Sequence, residues 1–247
     1  ADIQERGLYG GNDWGPNMPV PNEEQQAKLT ALDADIAAVR DTLNTPTDEL
    51  ARGQVAWEAS QAPWVPLAPA SMQSAAGATL TRLADDSVLA SGQSPVKDTY
   101  TITFDSWPAG ITALRIDAIP DESLPHSGPG RAGNGNFVLT EFELSLLSDD
   151  QLTPIALQNA SATFEQKMGA AGGHPDKKWS AASAIDGDTR GLSWGWAIMG
   201  QAGRPNSAVF EIAPDSSLAA TNGEATQSKL QVVLKQQPDS PQHTLGR

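Results

Sequence analysis

The chain has 247 residues, enough for one large or two small domains. Its formal net charge is −14, and no basic stripe interrupts that field, which argues against a nucleic-acid partner. It has no cysteine, so disulfides, thiolate zinc sites and cysteine nucleophiles are excluded, and no apolar run approaches the ~20 residues of a membrane span. Residues 1–21 (ADIQERGLYGGNDWGPNMPVP) are rich in Gly, Pro and Asn and predict an irregular N-terminal segment. With no signal peptide in view, the expectation is a piece excised from a longer protein.

Residues 22–61 predict two helices. Asn22 caps the first, with Gln25 placed for a capping box. Leu29, Leu32, Ile36, Val39 and Leu43 then recur at 3-4-3-4 spacing, a heptad seam on one face. Lys28, Asp33, Asp35 and Arg40 fall outside that seam. Asn44-Thr45-Pro46 stops the helix, and 47–61 predicts a second one carrying Leu50, Val55 and Trp57. The expectation is an antiparallel helical hairpin, its seam packed on the main domain or on a partner.

Residues 62–247 read as β structure. Runs at 78–83 and 87–90 flank Asp85-Asp86 as a hairpin. Further strands are predicted at 99–104, 111–119, 136–147, 154–157, 208–212 and 229–235. Strands without intervening helices imply antiparallel sheets, most simply a jelly-roll β-sandwich.

Motifs for catalysis are lacking. His126, His174 and His243 show no zinc spacing, and there is no GxSxG or phosphate loop. Thirty acidic residues make chance carboxylate pairs common, so a glycosidase or lyase is a remote alternative and a non-enzyme is expected. The tract AIDGDTRGLSWGW, residues 184–196, is the most informative. Asp-Gly-Asp demands a tight turn and offers oxygen ligands of the kind Ca²⁺ takes, yet it lacks the EF-hand order. From spacing alone a metal loop and a bare Asx-turn remain equal readings. The loop 128–136 (GPGRAGNGN) has little side chain, so its backbone can approach something closely. Arg131, Asn134 and Asn136 there could hydrogen-bond a sugar or serve as structural caps. Of the seven tryptophans, Trp179 is the expected exposed stacking platform, whereas at least one of Trp194 and Trp196 belongs to the core.

ASAIDGDTRGLSW resembles the signature of galactose-binding-like β-sandwiches, the discoidin and coagulation-factor C-type family. Leu139-Thr-Glu-Phe-Glu-Leu144 resembles that family's last strand, and ITALRID its penultimate one. The resemblance implies a structural Ca²⁺ with Glu141, Asp186, Asp188 and Ser193 as side-chain ligands. Two departures stand out: the strand motif precedes the DGD motif, a permuted order, and Ser193-Trp194 falls two residues late.

A second resemblance covers most of the chain. ERGLYGGNDWGPNMPVP, GITALRIDAIPD, GPGRAGNGNFVLTEFEL and AIDGD…GWAI form a series similar to an accessory insert of planctomycete-type cytochrome-c-like proteins. It implies flanking domains and a periplasmic or extracellular setting, although no CxxCH haem motif is present here. Together the resemblances imply a non-catalytic, calcium-stabilised carbohydrate-binding module for a polysaccharide, acidic ones included. Arg131, Asn134, Asn136 and Trp179 would contact the glycan. The competing expectation is a docking module that orients flanking domains through the helical hairpin.

Overall fold

The computed structural model describes residues 21–60, 64–167, 179–188, 195–214, 216, 218 and 228–247. The chain divides after Pro63 into two compact units. The irregular segment expected at the N-terminus, Trp14, His174 and the Ser193-Trp194 pair lie outside the described residues.

In unit one, α1 spans Glu23–Asn44 and α2 spans Asp48–Ser60. The capping box forms as the sequence predicts. The Gln25 amide donates to Asn22 Oδ1 at 2.8 Å, and the Asn22 amide to Gln25 Oε1 at 3.0 Å. Helix α1 ends where Thr45 turns extended before Pro46, because the residue ahead of proline is driven out of the helical region. No residue of α1 is buried, so its heptad seam lies open along its length. Neither helix is long and apolar enough to cross a membrane.

Unit two is mainly β, with twelve strands among the described residues, all paired antiparallel. These are β1 (Ser71–Ser74), β2 (Ala78–Arg82), β3 (Val88–Gly92), β4 (Asp98–Phe104), β5 (Ala113–Ala118), β6 (Val138–Leu139) and β7 (Glu141–Ser148). There follow β8 (Gln151–Ile155), β9 (Leu157–Ala162), β10 (Trp196–Ala197), β11 (Asn206–Ile212) and β12 (Lys229–Gln236). A five-stranded sheet runs β1-β4-β12-β7-β8, a three-stranded sheet β5-β11-β9, and two pairs are β2-β3 and β10-β6.

Alternation of side chains assembles the core. Along β4, Tyr100, Ile102 and Phe104 point inward, and along β12 Leu230, Val232 and Leu234 do the same. Phe142 of the five-stranded sheet stacks on Phe210 of the three-stranded sheet, centroids 4.6 Å apart. Trp196 is fully buried, meets Phe137 edge-on at 5.0 Å and donates from Nε1 to the Phe164 carbonyl at 2.9 Å. That places it among the core tryptophans the sequence requires.

Two expected strands are corrected. The run 136–147 is not one strand. It breaks at Thr140, so that β6 pairs with β10 and β7 with β12. The Thr140 hydroxyl and amide both donate to the Lys235 carbonyl, at 2.8 and 2.9 Å, and the Gln237 amide donates back to Thr140 Oγ1 at 3.1 Å. The expected strand at 154–157 is the junction of two. Strand β8 ends the five-stranded sheet, an edge position that tolerates Pro154, and β9 crosses to the other sheet.

Candidate functional site

The site is built on the break at Thr140. In β7, Glu141 lies opposite Lys235 and Phe142 opposite Leu234. Phe142 enters the core while Glu141 is only 5% exposed, an unusual position for a carboxylate. Gly195 explains how closely the chain can pack here. A Cβ at that position would lie 1.8 Å from the Leu139 carbonyl oxygen, so only glycine permits the approach.

The DGD turn arrives on the same carboxylate. Segment 179–188 begins at Trp179, passes through a 3₁₀ turn at Ala181–Ala184 and reaches Asp186. Gly187 takes φ +77°, the left-handed conformation that such a turn requires. Asp186 Oδ1 accepts the Asp188 amide at 2.8 Å, an Asx-turn. The Gly187 amide donates to Glu141 Oε1 at 3.3 Å. Two tracts 46 residues apart in sequence thus meet at one point.

The other Glu141 oxygen, Oε2, is buried and has no hydrogen-bond partner among the described residues. Lys235, directly across the ladder, directs its ammonium to Glu143 instead. Burial pushes the Glu141 carboxyl up to about 7. The negative charges of Asp186 and Glu143 add to that rise, and the Gly187 amide and Lys235 oppose it. A cleft of about 480 Å³ opens beside this group, lined by Glu141, Glu143, Ser145, Ile185, Asp186 and Gly187 among others. No three His, Cys, Asp or Glu side chains cluster tightly enough among the described residues to hold an ion by themselves. The pair that does meet is Glu141 with the Asp186–Gly187 turn. Asp188 contributes its amide to that turn, and Ser193 lies outside the described residues.

The residues predicted to contact a glycan separate into two groups. Arg131 and Asn136 are buried, at 9% and 4% exposure, and are engaged by the protein itself. Arg131 Nη2 donates to the Gly92 carbonyl at 3.0 Å, while Asn136 Oδ1 accepts the Ile198 amide at 3.0 Å. The loop's small residues serve its own closure. A Cβ on Gly130 would lie 2.0 Å from the Asn136 carbonyl oxygen. Asn134 is exposed and reaches Met199 Sδ at 3.5 Å. Trp179 is half-buried and bridges in β fashion to Gln166, whose Oε1 accepts both Asn136 Nδ2 and the Met199 amide. Asn134, Met199, Gln166 and Trp179 therefore form one surface group. Sequence reasoning missed Gln166 and Met199, because nothing in the pattern around either residue marks it.

Set against protein-family models, curated proteins and solved structures, the chain matches none.

Proposed function

We propose that unit two is a calcium-braced, non-catalytic binding module for polysaccharide, a galactose-binding-like jelly-roll sandwich with permuted strand order, carried by a larger exported protein. One observation carries the proposal: Glu141 buries an unpartnered carboxylate oxygen against the Asp186-Gly187-Asp188 turn. A buried, unpaired carboxylate is costly, and a hard cation is the partner that removes the cost with oxygen ligands alone. Glu141 and Asp186 would hold the ion, with carbonyls of the turn completing its shell. The bound ion would supply charge neutralisation and bracing, not chemistry. The stacking of Phe142 on Phe210 supports the sandwich reading, since it brings side chains of the two larger sheets into one core.

The glycan would lie on the surface group around Trp179 and Asn134. Segment 179–188 links that group to the DGD turn, so an ion fixing the turn also fixes the platform. Arg131 and Asn136 act beneath it as supports for the loop. Indole offers a flat face to sugar C–H groups, and the amides of Asn134 and Gln166 offer planar hydrogen bonding. The test is a screen of acidic and neutral polysaccharides against the whole chain with Ca²⁺ and then with chelator. Binding is expected with Ca²⁺, lost with chelator, and weakened at least about tenfold by Trp179→Ala. Silence across both classes of glycan, with the protein folded and calcium-loaded, would overturn the glycan assignment.

A docking role for the helical unit is the second reading, favoured by the exposed seam of α1.

A further inference from the structure

The seam of α1 has a partner that its own charges specify. Leu29, Leu32, Ile36, Val39 and Leu43 are between 46% and 75% exposed, five large apolar side chains on one face of a 22-residue helix. Water rarely meets so regular a stripe in an isolated helix, since its burial is what normally stabilises a helix of this length. Placing Leu29, Ile36 and Leu43 at a and Leu32 and Val39 at d of a heptad puts Lys28 and Asp35 at g, and Asp33 and Arg40 at e. In a parallel two-stranded coil, a g residue faces the e residue five positions later on the other helix. Lys28 then meets Asp33 of a second copy, and Asp35 meets Arg40. Each pair is of opposite charge and each occurs twice by symmetry.

Antiparallel pairing with the whole stripe overlapped is the poorer fit. It brings Asp33 near Arg40 of the second copy but leaves Lys28 and Asp35 without an opposite charge, so parallel pairing alone satisfies all four charges. The a and d residues are mixed, Ile36 with Leu32 suiting two strands and Leu29, Leu43 and Val39 not, so the charge pattern carries the choice. Helix α2 is a poorer match for the stripe. Leu50 and Trp57 keep a seven-residue spacing, but Gly53 occupies the d position between them and Val55 falls outside the repeat. We infer that α1 pairs in parallel and in register with α1 of a second copy, making the protein a homodimer through unit one. The pairing is independent of calcium and of glycan.

Sedimentation velocity on the whole chain, from micromolar to near-millimolar concentration, tests this. The mass is expected to rise from one chain to two, equally with Ca²⁺ and with chelator. Ile36→Asp should hold the protein at one chain while the β signal in circular dichroism persists. Asp35→Arg should weaken dimerisation about tenfold, and adding Arg40→Asp should restore it. Because the chain has no cysteine, Leu43→Cys reports orientation: parallel pairing yields a disulfide-linked dimer on mild oxidation. A single chain at every concentration, an assembly of more than two chains, a dimer that survives Ile36→Asp, or failure of Leu43→Cys to cross-link would each overturn the inference.

Discussion

Glu141 is where the chemistry of this chain is least ordinary. Its carboxyl is held near 7 against a usual 4.5, chiefly by burial. A proton bound more tightly in the folded state stabilises that state fully below the unfolded value, and the benefit is lost as pH rises through the folded one. Without calcium the protein should therefore lose stability between about pH 4.5 and 7. The loss reaches up to about 3 kcal/mol, since each tenfold gain in proton affinity is worth about 1.36 kcal/mol. Asp186 and Glu143 sharpen the loss, and Lys235 tempers it. Glu141→Gln removes the titrating group. In chelator it should unfold at higher denaturant concentration than the wild type at pH 8, and the gap should close at pH 4. A wild-type protein equally stable at both pH values in chelator would show that Glu141 is not the buried acid described here. The residue was legible in the sequence as the third letter of LTEFEL, but its burial was not. Burial depends on the Asp186 turn, which arrives from more than 40 positions away.

At the scale of elements, helices were easier to read than strands. The seam, the Asn22 cap and Pro46 lie within one stretch of chain, so local pattern alone places α1. The break at Thr140 has no such mark. Val138-Leu139-Thr140-Glu141-Phe142 sits inside one β-prone run with no turn residue to end it, and pairing to two different partners divides it. Strand β9 (LQNASA) was hidden for a related reason: its half-exposed residues carry little apolar signal, and its pairing with β11 defines it. Two substitutions probe the break. Thr140→Val strands the Gln237 amide and removes one of the two donors to the Lys235 carbonyl, which should cost about 1–3 kcal/mol in chemical denaturation. Gly195→Ala forces a Cβ into the Leu139 carbonyl and should cost about 3 kcal/mol or more, with loss of calcium response. A Gly195→Ala protein as stable as the wild type would mean that the chain does not press on the break as described.

For the whole molecule, an acidic, cysteine-free composition is in keeping with the proposed calcium brace. A β unit without disulfides can gain rigidity from an ion, and a net charge of −14 suits a divalent cation. The mainly β class was legible from the spacing of apolar runs and turns after Pro63, while the sheet order was not, because β4, β12 and β7 come together from across the unit. The most direct measurement is the melting temperature of the wild type and of Glu141→Gln at pH 8, each with Ca²⁺ and with chelator. Calcium at about 100 times its dissociation constant should stabilise the wild type by about 2.7 kcal/mol and leave Glu141→Gln unmoved. Wild-type curves that superimpose with and without the ion would contradict the account at its centre.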